Sequence, residues 1–408
     1  MENRGTRVAH VITTFSLGGA TETVLLIAAG LKATGGFDVT VIAGEPIAAE
    51  GGMLSEAAEY GIDVEIVPCL QRDIHPMRDL RAFFNLYNLF RERRFDVVHV
   101  HSSKAGILAR LAARLAGVPV VVFTLHSLPY TVHSPRWLRA MYNTIERIAS
   151  RWCTGLVSVT HDVVRRAIEQ NIFRPGACHV IRSAMDLDRF MEPGDGRDRI
   201  RREWGVSPDH VVMGTVGRVH TGKGQNILVD AAPSLCAELP DLRIVIIGTG
   251  PLKEPLTQRV AELGLSDRVL FVGSVPPEQM PKTLSALDVF ILVSEREGLA
   301  RVIIQSLAAR KPVISYDLDG SPEVVSDRVN GRLIPPDDTA ALLDSVRELV
   351  RDAELRRKWG DAGPPAVDPE FRAETMVQQT IEEYTRLLRI SGQSAPSAGT
   401  VPPVATWK

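Results

Sequence analysis

Residues 211–224 read VVMGTVGRVHTGKG, an apolar β-branched run that breaks at a glycine into a turn, with a helical pattern, QNILVDAAP, directly behind it. The turn comes close to the P-loop rule: Gly217, four residues, Gly222, then Lys223. A P-loop closes with Ser or Thr, whose hydroxyl ligates the magnesium that bridges the terminal phosphates. Here that position is Gly224. The turn therefore offers cations without a metal-binding hydroxyl. Arg218 and Lys223 on one flexible loop suit a diphosphate, the arginine through a forked, bidentate grip.

The strand, turn and helix unit recurs on both sides of this stretch. Before it come RVAHVIT, DVTVIAG, VEIVPC, DVVHVHS, PVVVFTL, GLVSVT and HVIR; after it come RIVIIG, RVLFVG, VFILVS, PVISYD and GRLIP. Apolar runs of this kind alternating with helical patterns indicate parallel sheets covered on both faces. The pattern pauses at FMEPGDGRDRIRREWGVSPD, residues 190–209. The expected organisation is an α/β chain with a Rossmann-like domain over 1–190, a linker over 191–208 and a second such domain over 209–365. A helix over 366–390 and a disordered tail over 391–408 complete it.

Composition bounds the function. The 408 residues, 45% hydrophobic and 24% charged with a net charge of -2, read as a globular protein of two domains and not as a dedicated nucleic-acid binder. Cys69, Cys153, Cys178 and Cys236 lie far apart with no C-x-x-C pair, so a zinc site or a disulfide framework is not expected and a reducing cytoplasm is. The opening residues make a poor signal peptide, and the longest apolar runs fall short of a membrane span.

In such sheets ligands sit beyond the carboxyl ends of the strands. Three further turns stand there. SLGGATE places Gly18 and Gly19 at a helix start, where bare amides can hold an anion. VIIGTGP places Gly248 and Gly250 where a ligand could approach the backbone. SEREGLARVIIQSLAARKPVIS puts Glu297 and Gly298 at the start of a helix running to about Arg310, with the amides of Leu299, Ala300 and Arg301 available to a phosphate.

Taken together, GRVHTGKGQNILVDAAP, RIVIIGTGPLKEPL, VFILVSEREGLARVIIQSLAARKPVIS and DGSPEVVSDRVNGRLIPPDD resemble the C-terminal half of the family 4 glycosyltransferases, which have the GT-B fold. SLGGATETVLLIAAGL, HVHSSKAGILARLAARLAGVPVVVFTLHSLPY and VIRSAMDLDRF follow the order of their first half. The resemblance implies retaining, metal-independent transfer from a nucleotide-diphosphate sugar, with no cofactor. Arg218 and Lys223 would neutralise the diphosphate, Glu297 would touch sugar hydroxyls, and the amides after Gly298 would cradle the distal phosphate. Gly18 and Gly19 would face that phosphate across the cleft, His126 would lie near the donor sugar, and the last helix would cross back to the first domain. The family usually has a second glutamate eight positions after the first, on the ribose; this sequence has Gln305, which lacks the charged two-oxygen grip. SAMD at 183–186 replaces an Asn-Gly turn, and Arg310 stands where a helix-ending glycine is common.

The acceptor, a glycan, lipid-linked saccharide or small molecule, is not specified by these motifs. Residues 66–151 carry 13 Lys and Arg against 5 Asp and Glu, and MRDLRAFFNLYNLFRERRF within them mixes arginine with aromatic residues. That stretch reads as a sheet-covering helix, or as a peripheral contact with the inner membrane face. Two alternatives stand beside the leading reading: a catalytically weak GT-B sugar-nucleotide binder, because of Gln305, and a P-loop nucleotide hydrolase. Two D-x-D strings, Asp186–Asp188 and Asp317–Asp319, are taken as incidental.

Overall fold

The computed structural model describes residues 5–16, 18–46, 52–130, 134–396 and 398–407. The chain divides into two compact units, 1–185 with 370–408 and 186–369. Unit 1 runs β1 (Thr6–Ile12), α1 (Gly19–Ala33), β2 (Phe37–Ala43), α2 (Leu54–Glu59), β3 (Asp63–Ile66), α3 (Pro76–Arg93), β4 (Val97–His101), α4 (Ser103–Leu115), β5 (Val120–Leu125), α5 (Arg136–Ala149), β6 (Gly155–Ser158), α6 (His161–Glu169) and β7 (Cys178–Val180). Its strands form one sheet in the order β3-β2-β1-β4-β5-β6-β7. Every pairing is parallel.

Unit 2 runs α7 (Asp188–Met191), α8 (Arg197–Glu203), β8 (Val211–Val216), α9 (Gln225–Glu238), β9 (Leu242–Ile247), α10 (Lys253–Glu262), β10 (Val269–Gly273), α11 (Met280–Ser285), β11 (Val289–Leu292), α12 (Arg301–Ala308), β12 (Val313–Tyr316), β13 (Gly331–Ile334), α13 (Thr339–Arg351), α14 (Ala353–Asp361) and α15 (Gly363–Val367). Its sheet is ordered β10-β9-β8-β11-β12-β13. The chain then returns to unit 1 as α16 (Ala373–Ile390).

The apolar runs become central strands because both faces are covered. β4 and β5 are buried at every position. Successive side chains of β1 point to opposite faces: Val8 joins Val24 of α1 and Met376 of α16 in one core cluster, while Ala9 and Val11 join Leu86 and Phe90 of α3 in another. Both sheets reverse direction at their first strand, between β1 and β4 and between β8 and β11. Those are the switch points at which ligands bind in open α/β sheets.

Two expectations about the chain's joints need correction. The stretch 191–208 is not a free linker, because α8 belongs to unit 2. Arg197 and Arg201 donate to Asp288 at 2.6 and 2.5 Å, and Asp288 also accepts from the amide of Val212 at 2.7 Å. Two arginines of the expected linker are thus partners of one carboxylate, and the unit boundaries fall at 185/186 and 369/370. Nor is the tail disordered over its described length. The Val404 amide donates to Glu374 at 2.7 Å, and Trp407 is only 6% exposed. Its ring lies over Gly30 of α1, where an added Cβ would come within 2.9 Å of it and 2.5 Å of Val377.

Candidate active site

In unit 2 the loop after β8 is shaped by backbone against backbone. The Gly217 amide donates to Ile247 O, Val219 N to Thr249 O and Leu252 N to Val219 O, each at 2.9–3.1 Å. These bonds zip the loop to the turn after β9. A Cβ at Gly248 would fall 1.9 Å from Gly217 O, and one at Gly250 would fall 2.3 Å from Val219 O. Contact with the neighbouring loop therefore accounts for both glycines whether or not a ligand also approaches them.

Gly224 begins α9 in the left-handed region, φ 79°. A Cβ there would lie 2.2 Å from Val293 O. The Ser or Thr of a P-loop has no room at this position, so the hydrolase alternative fails on sterics as well as on chemistry. The Glu295 amide donates to Gly222 O at 2.9 Å, and Ser294 Oγ donates to the same oxygen at 3.2 Å. The loops after β8 and β11 are held side by side in this way.

Across that seam the Lys223 ammonium donates to a carboxylate oxygen of Glu297. Their side chains are 27% and 23% exposed, so the pair stands at the edge of water. Glu297 is held from behind: its amide donates to Asp319 at 2.7 Å, and the Gly320 amide donates to Gly298 O at 3.0 Å. Asp319 is 9% exposed with φ 55°, a left-handed conformation that Asp tolerates better than most residues. The D-x-D string 317–319 thus contributes a support for Glu297. The cue was the Asp-Gly pair, a turn signal. Gly298, Leu299 and Ala300 form the approach to α12, whose N-cap, Ala300, makes no side-chain cap bond, and Gln305 is half-buried on α12. Arg218, on the same loop as Lys223, is exposed. Lys223, Glu297, Gly298 and the start of α12 are therefore brought together.

In unit 1 Gly18 is the N-cap of α1, whose first residue is Gly19. The φ of Gly18, 165°, is open to any residue, and a Cβ there would meet nothing within 4 Å. Neither backbone nor packing requires glycine at that position. At the same switch point Thr13 Oγ1 and Ser102 Oγ lie 2.6 Å apart, and Ser102 adopts φ 71°. His126, half-buried just beyond β5, has its Nε2 3.3 Å from His101 Nδ1. Behind it His10, His99 and His101 are buried together. Burial pushes the His10 imidazole down to about 3 and those of His99 and His101 well below their ordinary value, which keeps them neutral. The sequence signal for this cluster is two histidines two residues apart on an apolar strand, His99 and His101 of β4.

Comparison with known proteins agrees with the two units. The family model Glycosyltransferase Family 4 matches residues 17–189, and that of Glycosyl transferases group 1 matches residues 196–365. The alpha-maltose-1-phosphate synthase of Mycolicibacterium smegmatis is 30% identical, over 71% of this chain and 79% of its own. The UDP-Gal:alpha-D-GlcNAc-diphosphoundecaprenol alpha-1,3-galactosyltransferase of Escherichia coli is 29% identical, over 78% of this chain and 81% of its own. Among solved structures, Anabaena Alr3699/HepE in complex with UDP and glucose matches with a TM-score of 0.80 at 20% identity, over 93% of this chain and 100% of that one. With both family models matched in sequence order on two Rossmann-like units, the chain belongs to the family 4 glycosyltransferases and has their GT-B fold.

Proposed function

We propose that this glycosyltransferase moves a sugar from a nucleoside-diphosphate sugar to a saccharide acceptor on the cytoplasmic side, with retention of the anomeric configuration and without a metal ion. The observation that carries the reading is the contact of Lys223 with Glu297 at the switch point of unit 2. A diphosphate reaching this seam would draw Lys223 onto its oxygens. Glu297 would then be released toward sugar hydroxyls, while Arg218 and the amides at the start of α12 met the remaining phosphate charge. As the glycosidic bond breaks, negative charge grows on the leaving diphosphate, and fixed cations stabilise that state more than the ground state. Family membership assigns Gly18, with open space beside it, and His126 to donor binding as well. The test is to incubate the protein in EDTA with UDP-, GDP-, ADP- and dTDP-sugars and glycan or lipid-diphosphate acceptors, and to read the product's anomeric configuration by NMR. An inverted product, or turnover that needs added magnesium, would overturn the corresponding part.

A lipid-linked acceptor is the form we favour, on an observation along α3. Met77, Leu80 and Phe84 are 62%, 53% and 52% exposed, three apolar side chains at helical spacing, with Arg81 and Arg91 exposed on the same helix. Its opposite side, Ala82, Leu86, Leu89 and Phe90, is buried. No helix among the described residues is long and apolar enough to cross a membrane. The helix thus covers the sheet with one side and would lie on an anionic bilayer with the other. The E. coli relative is named for a diphosphoundecaprenol acceptor, which supports this choice. Leu80→Gln with Phe84→Gln should abolish sedimentation with phosphatidylglycerol vesicles; unchanged sedimentation would remove the membrane contact.

A further inference from the structure

The buried histidines form a connected chain. His10 and His99 pair in register on β1 and β4, and His101, two residues on, shares their face. The rings of His99 and His101 stack at 4.3 Å between centroids. His101 Nδ1 meets His126 Nε2 at 3.3 Å, and His101 Nε2 meets His10 Nδ1 at 3.1 Å. His10 Nε2 lies 3.4 Å from the hydroxyl of Tyr384 on α16, which lies 2.6 Å from His99 Nδ1. His99 Nε2 reaches Thr124 Oγ1 at 2.6 Å. Both nitrogens of His10, His99 and His101 therefore have partners. A neutral imidazole carries one N–H and one lone pair, so fixing one link of the chain fixes the rest.

Tyr384 supplies the link that sets the direction. If its O–H donates across the short contact to His99 Nδ1, its oxygen accepts the longer contact from His10 Nε2–H. His10 Nδ1 must then accept from His101 Nε2–H, and His101 Nδ1 must accept from His126 Nε2–H. We propose that Tyr384 is a positioning residue for His126, holding it through His10 and His101 in the Nε2–H tautomer with the lone pair on Nδ1. The relevance of this to transfer rests on the reading of His126 as a donor-side residue; the relay itself does not.

The test is nitrogen-15 NMR of the full chain labelled at histidine, with the His126 signals assigned by their loss in His126→Gln. The wild-type spectrum should show His126 protonated on Nε2, a readout that needs no core variant. Tyr384→Phe keeps the ring and removes the acceptor for His10 Nε2–H. A buried unsatisfied donor is costly, so His10 should move its proton to Nδ1, and the change should pass along to leave His126 protonated on Nδ1. The same variant should lose about tenfold in kcat with little change in donor KM. An Nδ1–H His126 in the wild type, or one tautomer shared by wild type and variant, would overturn the relay. One equivalent of metal in the purified protein would do so too, because the lone pairs would then be ligands. A tautomer switch with unchanged kcat would uphold the relay and break the placement of His126 at the donor.

Discussion

The switch points of the two units have the same strand order and opposite contents. In unit 2 the loops after β8 and β11 carry Arg218, Lys223 and Glu297, charged groups at the edge of water. In unit 1 the matching strands β1 and β4 carry His10, His99 and His101, wholly buried and neutral. A Rossmann-like sheet supplies a place for a ligand and leaves its chemistry to the side chains. Charge is affordable where water remains, as at Lys223. Inside the sheet's covering layer the polar groups must be paired, and the three histidines are neutral as well.

Acid should separate the two regions most strongly. The folded pKa of His10 is depressed to about 3, so the unfolded chain takes up the proton first. The stability held in keeping it neutral is complete above pH 6.5 and drains as pH falls toward 3. Through that window the unfolded chain binds more protons than the folded one, and His99 and His101 act in the same direction. Urea unfolding of wild type and His10→Gln between pH 7.5 and 4.5 reads this directly. An equally steep loss in the variant would mean that His10 is not held neutral.

Lys223→Ala should leave that acid profile intact and lower kcat/KM by about 10²–10³, the cost of one donor to developing charge. Its melting point should barely move, since a partly exposed pair contributes at most about 1 kcal/mol. Gly224→Ala should do the reverse to stability, costing roughly 2 kcal/mol or more through its left-handed backbone and the clash with Val293 O; chemical denaturation measures it. Gln305→Glu is the mildest change and should lower donor KM about tenfold by restoring a charged grip. A variant that turns from inactive to active would instead mark the natural protein as a weak, binding-adapted member of its family.

Much of this was legible in the sequence because it is local. Each strand appears as an apolar run, and Gly224 and Lys223 announce themselves by spacing within one loop. What escaped depends on partners distant in sequence. Asp319 supports Glu297 from 22 positions away. Arg197 and Arg201 look like linker charges until Asp288 is folded against them. Gly248 serves the loop of Gly217 before any ligand. His10 meets His101 across 91 positions and Tyr384 across 374, and no periodicity within either segment encodes that meeting. Trp407 read as tail because the surface that buries it, at Gly30 and Val377, lies elsewhere in the chain.

We propose that the loop of Arg218 and Lys223, with Glu297 across the seam, receives a nucleoside diphosphate without a metal. Thermal unfolding with UDP, GDP, ADP, dTDP and ATP, each in EDTA and in magnesium, tests it most directly. A diphosphate at one hundred times its dissociation constant should add about 2.7 kcal/mol and raise the melting point by a few degrees in EDTA, a gain that Lys223→Ala should erase. Stabilisation by ATP alone, and only with magnesium, would contradict the claim.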